Sequence, residues 1–578
     1  MRLNISKSKH AESFYAIETV VVNGKRTTRV VEKLGTKKEW EERFPGQDVY
    51  ALARAYVQEL TRKREEGIVE TLLKLSNSKY LSKGQQQSFQ GGYLFLQKIY
   101  YQLKLQDICQ RIADQYAFEF DLNAILSRLI YTRVLSPSSK ASAFESCQHY
   151  LEPPDFELHH IYRALDLLAK ESDFIQSELY KNSLAICERN TKILYYDCTN
   201  FYFEIEEAWG YKQYGHSKEN RPNPIVQMGL FLDGSGMPLT FSITPGNTNE
   251  QTTLRPLEKT LLKDFELSQF VVCTDAGLSS KANRRFNTKG QRAYVTTQSL
   301  KKLKEEWRTW ALSPLGWKVL GEDSQTEYDL NALECTEQEK DTHLFYKQLP
   351  ITDGTLEEFL LVSYSPKYRA YQRHLRSKQI ARAQKHITQP SSMAKKRAND
   401  PKRFIRTLHC TEEGELAERQ RLVLDEEAIA YEEQFDGFYA VCTNLEGNPE
   451  DVIRINQGRW EIEKAFRTLK TEFKSRPVYL QKDERIFAHF ITCFIALLIY
   501  RILAKKVQTQ FKETPFSSKQ MLETLQGMSF LKLKSGDFVP TYTRTDMTDA
   551  LHEVSGFRTD TELVSQKCIR NVIKQTKL

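Results

Sequence analysis

The sequence predicts an α/β protein in which a mixed sheet with flanking helices follows a mainly helical region. Three observations carry this reading: a cluster of short apolar runs between 190 and 298, helical periodicity before it, and a strand–helix pattern that returns after a long interruption. The chain has 578 residues, 40% hydrophobic and 27% charged, ordinary globular material long enough for about three or four domains.

In chain order, "FYAIETVVVNGKRTTRVVEKLG" places Asn23-Gly24 between two β-rich runs and predicts a hairpin, so residues 1–90 read as a β-hairpin followed by helices. Residues 91–190 read as mainly helical, with breaks at Ser136-Pro137 and Pro153-Pro154. From 191 to 298 the pattern is strands: "KILYYD" (192–197), "PIVQMGLFLD" (224–233) and "MPLTFSI" (237–243) form a meander, its last two strands joined by Asp233-Gly234-Ser235-Gly236. Thr248 followed by Gln251 signals a helix start, and "QFVVCTD" (269–275) and "QRAYVTT" (291–297) complete a five-stranded set. Residues 299–430 then interrupt the rhythm as an insertion. It resumes over 431–510 with "GFYAVCTN" and the helix "PEDVIRINQGRWEIEKAFRTLKTEF". The run "FITCFIALLIY" (490–500), bounded by His489 and Arg501, falls short of the roughly 20 residues of a membrane span and reads as a core helix. Residues 511–578 read as a helical tail.

Charge is distributed unevenly. The formal net charge is +8, yet the stretch 367–406 alone holds thirteen Lys or Arg against one acid, Asp400, so the rest of the chain is slightly acidic. Such a patch meets phosphates or is simply a solvated segment. The ten cysteines stand singly between Cys109 and Cys568 with no CxxC pair, and "MRLNISKSKH" leads into no apolar stretch, which together predict a reduced, cytoplasmic protein.

Three carboxylates draw the chemistry. Asp197 ends the first strand, Asp275 ends the fourth, and Glu463 lies on the late helix. Strand-end aspartates on neighbouring strands can converge, and a helix can add a third acid. Such a cluster is costly unless cations fill it, and all-oxygen ligands select Mg²⁺ or Mn²⁺, two of which can serve phosphoryl transfer. Aspartate at a strand terminus is equally a common turn former, as the glycine-flanked Asp233 illustrates. Arg459 and Lys470, four residues before and seven after Glu463, fall near its face of a regular helix. An exposed Arg–Glu pair at this spacing is the ordinary alternative.

The order and spacing of "YYDCTNFYFE", "VVCTDAGLSS" and "GRWEIEKAFRTLKTEFKSRPVY" resemble the DDE transposases of bacterial insertion sequences, in the subgroup whose third acid sits in a Tyr-x2-Arg-x3-Glu-x6-Lys signature. The resemblance covers roughly 190–505. It implies an RNase H-like catalytic core interrupted by a β-rich insertion, and the gap of 188 residues between the second and third acids (463 minus 275) leaves room for one. It also implies that Asp197, Asp275 and Glu463 bind two Mg²⁺ or Mn²⁺ ions, that Arg459 and Lys470 contact DNA phosphates, and that a homodimer holds two terminal inverted repeats in a synaptic complex before joining them to target DNA. A cytoplasmic, nucleoid-associated bacterial protein follows, with end recognition assigned to the N-terminal 190 residues. The signature tyrosine falls at Asn456, which can donate a hydrogen bond to DNA but cannot stack. Two other readings share these residues: an RNase H-like nuclease, and a transposase-derived DNA-binding protein that has lost catalysis.

Other residues admit two readings each. Trp307, Trp310 and Trp317 either stack on a flipped base, worth roughly 1 to 3 kcal/mol, or pack the inserted region. Cys198 and Cys273 read as small buried hydrophobes. His216 and Lys218 lie on a loop that either approaches DNA or is merely solvated.

Overall fold

The computed structural model describes all residues except 9–10, 23–24, 66–76, 79, 81, 323–324, 333–342, 389–399, 411–415 and 513–515. The Asn23-Gly24 turn and much of the second half of the basic stretch therefore lie outside the described residues. Two compact units are present, residues 1–85 and 86–578.

The first unit is a three-stranded antiparallel sheet, β1 (Arg2–Lys7), β2 (Glu12–Val22) and β3 (Lys25–Thr36), one strand more than a hairpin. Phe14 and Ala16 of β2 are buried at the two-residue period of a strand. Phe14 packs against Val49 and Ala53 of the helix Val49–Glu65. Thr36 caps the helix Lys37–Arg43 in a reciprocal pair with Glu39.

The second unit opens with β4 (Ser88–Gln90) and six helices between Tyr93 and Ser183. Its main sheet has nine strands rather than five. β5 (Ile193–Tyr202), β6 (Ile225–Asp233), β7 (Pro238–Pro245), β8 (Gln269–Thr274) and β9 (Gln291–Gln298) are joined by β10 (Lys318–Val319), β11 (Phe345–Asp353), β12 (Leu356–Tyr364) and, past the hairpin of β13 (Ile405–Cys410) and β14 (Leu416–Leu424), β15 (Phe438–Thr443). Their spatial order is β10-β11-β12-β15-β9-β8-β5-β6-β7, with β5/β8 and β8/β9 parallel and the other pairs antiparallel. The extra strands join because β12 pairs with β15 from Phe359↔Thr443 to Tyr364↔Phe438 and β15 in turn pairs with β9. Three strands from 299–430 thus extend the sheet that carries Asp197.

Each face of β5 buries a different set of helices. Leu194, Tyr196 and Cys198 pack on Leu254, Leu257 and Leu261 of the helix Leu254–Asp264. Tyr195 and Phe201, on the opposite face, join the core built around the helix Asp483–Gln510, where Phe201 and Phe490 lie 4.8 Å apart. That helix has 28 residues, well beyond the apolar run read from sequence, and by length and hydropathy it could cross a membrane. Its most apolar 18-residue window is 89% buried inside the protein, and it packs on the helices Leu122–Leu135 and Leu158–Lys170. Helical region and sheet therefore share one core.

The tail is not purely helical. β16 (Ser529–Lys532) pairs with β17 (Phe538–Pro540) and with β4, setting Phe530 opposite Phe89. A pairing between segments this far apart in sequence leaves no local signal.

Asp233 does more than turn the β6–β7 hairpin. Its Oδ1 accepts from the N–H groups of Ser235 (2.9 Å) and Met237 (3.0 Å), and its other oxygen pairs with Arg189, both side chains being fully buried. Arg189 also donates to Ser183 Oγ (2.7 Å) and to the Pro238 carbonyl (2.9 Å). Asp233→Ala leaves that guanidinium buried without a counter-charge and is expected to cost about 3 to 5 kcal/mol in urea unfolding.

Glu258 is a second buried acid, receiving Asn287 Nδ2 at 2.7 Å on one oxygen while the other has no partner. Burial pushes its carboxyl up to about 7, against the pull of Asn287, Arg292 and Arg255. Between the unfolded value near 4.5 and about 7 the native state holds a proton that the unfolded state has lost. Its contribution is therefore full below the lower value and is lost as pH rises through the upper one. Glu258→Gln is expected to be more stable than wild type at pH 8 by about 2 to 3 kcal/mol, and no more stable at pH 4.

Candidate active site

Asp197 is not at the end of its strand, because β5 runs on to Tyr202. β6 accompanies β5 from Leu194 to Tyr202, with Asp197 opposite Leu230, but β8 pairs only with Ile193 to Tyr195. Beyond Tyr195 the pairing with β8 stops, and Asp275 stands immediately after β8 ends at Thr274. Asp275 caps the short turn Ala276–Leu278, its Oδ1 accepting from the Leu278 N–H at 3.2 Å.

Alternation along β5 puts Asp197 on the face of Tyr195 and Phe201. Tyr195 meets the chain at Gly458, where a Cβ would come 2.0 Å from its hydroxyl oxygen. Here the long helix expected from sequence divides into Pro449–Gln457 and Trp460–Arg467, and Arg459 stands at the N-cap of the second. Arg501 fastens that second helix, donating to Glu461 Oε2 and to the Glu461 carbonyl, both at 2.9 Å, and to the Gly236 carbonyl.

Asp197 and Asp275 come within electrostatic reach of each other. Burial, reinforced by Asp275, pushes the Asp197 carboxyl up to about 6, although Lys218, the Cys198 N–H and Arg459 favour its charged form. Glu463 stands apart from them. Its side chain is 56% exposed and held 3.6 Å from Arg459, whose guanidinium feels both Glu463 and Asp197. Among the described residues no group of three or more His, Cys, Asp or Glu side chains is gathered closely enough to hold a metal ion. The half-buried, all-oxygen Asp197–Asp275 pair fits a hard divalent cation; Glu463 in this arrangement does not complete the set.

Lys470 lies in a π-helical turn, Thr468–Glu472, so its offset from Glu463 is not that of a regular helix. Its ammonium sits 5.5 Å from the Phe201 ring centre and 3.7 Å from Glu219, and burial and Lys218 push it down to about 8. Asn456 lies on the wall of an apolar cavity of about 390 Å³, with Tyr368, Tyr439 and Val441, and its Oδ1 is buried without a partner.

Lys218 is the main residue that the sequence left ambiguous. Asn200 holds its loop, accepting from the Lys218 N–H (3.3 Å) and donating to the His216 carbonyl (3.1 Å). The Lys218 ammonium reaches the Cys198 carbonyl and, at 3.3 Å, Glu250. Burial disfavours its charge, but Asp197 and Glu250 outweigh this and raise it. It lies twenty positions after Cys198 in the chain, and no periodicity signals such a contact. Tyr439, from β15, likewise acts electrostatically on Arg459. The tryptophans take the packing role: Trp317 is fully buried, and Trp307 and Trp310 pack on the same cluster. Burial pushes the thiols of Cys198 and Cys273 up to about 12, as expected of small core residues.

The contact at Gly458 sets where Arg459 and Glu463 stand. Gly458→Ala is expected to push the helix Trp460–Arg467 off β5 and to lower stability by about 1 to 3 kcal/mol in denaturant unfolding. Adding Tyr195→Phe, which removes the clashing oxygen, is expected to restore part of that loss, a coupling readable in a double-mutant cycle.

The transposase DDE domain family matches residues 188–499, more than half of the chain. A search of curated proteins finds no match. Among solved structures, the chain is similar to a piggyBac transposase synaptic complex with hairpin DNA at 8% identity, covering 84% of this chain and 85% of that one with a TM-score of 0.36. It is also similar to a Mos1 transposase paired-end complex with the left transposon end at 13% identity, covering 43% of this chain and 68% of that one with a TM-score of 0.13. Both TM-scores lie below the range that marks a shared fold. The family match spans β5 to the long core helix and encloses all three acids, and the chain belongs to the DDE transposase family.

Proposed function

We propose that the protein cuts the ends of a bacterial insertion sequence and joins them to target DNA by phosphoryl transfer at one site, in an RNase H-like core of the Tyr-Arg-Glu-Lys subgroup. The observation that carries the reading is the meeting of Asp197 and Asp275 where β8 stops, with Lys218 and Arg459 drawn to the Asp197 carboxylate. The run of strands β7-β6-β5-β8-β9, with its two antiparallel and two parallel pairings, supports the RNase H-like assignment. On this reading 191–298 and 431–510 form the core, 299–430 is the insertion, and 1–190 and 511–578 flank it.

Asp197 and Asp275 would hold the divalent ions, Mg²⁺ or Mn²⁺, with Glu463 as the third ligand. When bound, two such ions supply charge neutralisation and polarisation at the reacting phosphate. The chain's own groups bind and orient the substrate. Arg459 and Lys470 meet DNA phosphates from either end of the helix that carries Glu463, and Asn456 donates a further hydrogen bond. Lys218, beside Asp197, adds positive charge where the phosphate enters. Two transposon ends require two copies of the chain, so a homodimer in a synaptic complex, acting at the bacterial nucleoid, completes the proposal.

Two observations favour a second reading, a DNA-binding protein without catalysis: Glu463 stands outside the carboxylate pair, and Asn456 occupies the tyrosine position. Cleavage of linear DNA bearing the element's own ends, in Mg²⁺ and in EDTA, separates the two. Metal-dependent nicking at the end junctions is expected, lost by at least about a hundredfold in Asp197→Ala and Glu463→Gln. Binding without cleavage in Mg²⁺ or Mn²⁺ would establish the second reading, and full cleavage by Asp197→Ala would refute the site.

A further inference from the structure

Away from the carboxylates, a cavity of about 490 Å³ opens between the helical region and the loop that follows the π-helical turn. Its wall carries Arg133, Lys140, Lys474, Arg476, Ser139 and Ser142, and no acidic side chain. Arg133 and Lys140 are only 4% and 5% exposed. Arg133 donates to the carbonyls of Phe473 and Ser138, both at 3.1 Å, which leaves its Nε buried without a partner. The nearest partner of Lys140 Nζ is the Thr492 hydroxyl at 3.4 Å. Among the described residues neither cation forms an ion pair with a carboxylate.

Two buried basic side chains on one wall, without a carboxylate partner among the described residues, carry an electrostatic cost. Their surroundings register it. Burial and Arg133 push Lys140 down to about 7, and burial with both cations holds the neighbouring His489 well below its ordinary value. A bound anion relieves this cost, and a tetrahedral one offers several acceptors at once to the Arg133 guanidinium, the Lys140 ammonium and the Ser142 hydroxyl that line the cavity. At the rim, Arg476 is in contact with Glu219, the same carboxylate that draws Lys470 at 3.7 Å.

We propose that this cavity is a phosphate-binding site, formed by Arg133, Lys140 and Ser142, that takes a phosphodiester group of DNA beyond the contacts at the carboxylates. Phosphate chemistry stands on the cavity alone, and only the choice of DNA as its source rests on the transposase reading.

The test uses the full chain and two variants. Lys140→Met removes a buried charge at similar volume. Ser142→Glu brings a carboxylate to the cavity, and it also completes a capping box with Ser139, the N-cap of the helix Lys140–Cys147, so the helix is retained. Thermal unfolding is followed against inorganic phosphate, with chloride at matched ionic strength as reference, and binding of a short DNA duplex is measured across a salt series. Inorganic phosphate is expected to raise the wild-type unfolding temperature saturably beyond chloride, and both variants to lose that rise. The same variants are expected to bind DNA several-fold more weakly, with the slope of log K against log salt shallower by about 1. Loss of the phosphate response with DNA affinity and salt slope unchanged would overturn DNA as the source and leave a site for free phosphate. No phosphate-specific stabilisation of wild type, together with unaltered DNA binding in both variants, would overturn the proposal entirely. If end cleavage fails while the variants still lose the phosphate response, the transposase reading falls and the cavity stands.

Discussion

The unequal pairing of β5 is the constraint on which the rest depends. β6 follows this strand from Leu194 to Tyr202, whereas β8 accompanies it for three residues only. The parallel register Tyr195↔Cys273, carried two residues on, sets Asp197 beside Asp275, the first residue past the end of β8, on one face of the sheet. The antiparallel partner meanwhile keeps the backbone rigid, which is what a site for ordered chemistry requires.

Electrostatics then organises the surroundings. Two carboxylates at a partly buried sheet edge repel each other, and the protein answers with cations from three separate segments: Lys218 from the β5–β6 loop, Arg459 from the helix break and Lys470 from the π-helical turn. Arg459 stands between Asp197 and Glu463 and is attracted by both. Its placement follows from Gly458, which lets the chain pass against Tyr195, and from Arg501, which ties the following helix to the long core helix. The cavity around Arg133 and Lys140 shows the opposite imbalance, buried positive charge without an acid.

Much of the fold was legible locally. The strands 192–197, 224–233, 237–243, 269–275 and 291–297 were readable because runs of Ile, Val, Leu and Tyr are bounded by Asp, Gly and Asn, and all five lie side by side in the sheet. The failures have a common cause. The sheet extends to nine strands, β4 pairs with β16, and β5 continues past Asp197, and each of these depends on a partner distant in sequence that supplies no local periodicity. The break at Gly458 was missed for a similar reason, since a single glycine in an amphipathic pattern is tolerated and only the approach of Tyr195 makes it necessary.

By itself the sequence determined the family, through three ordered motifs with Asp197, Asp275 and Glu463 at their centres, and it determined the residue types: carboxylates beside Arg and Lys. Tertiary structure alone decided which of them meet. Asp197 and Asp275 are brought together by the parallel pairing of β5 with β8, and Lys218 joins them because Asn200 anchors its loop. Glu463 is kept at Arg459 instead. The physical reason is that spacing along a chain sets which residues share a strand or helix face, whereas convergence between elements depends on where backbone pairing stops and which side chains their packing brings close.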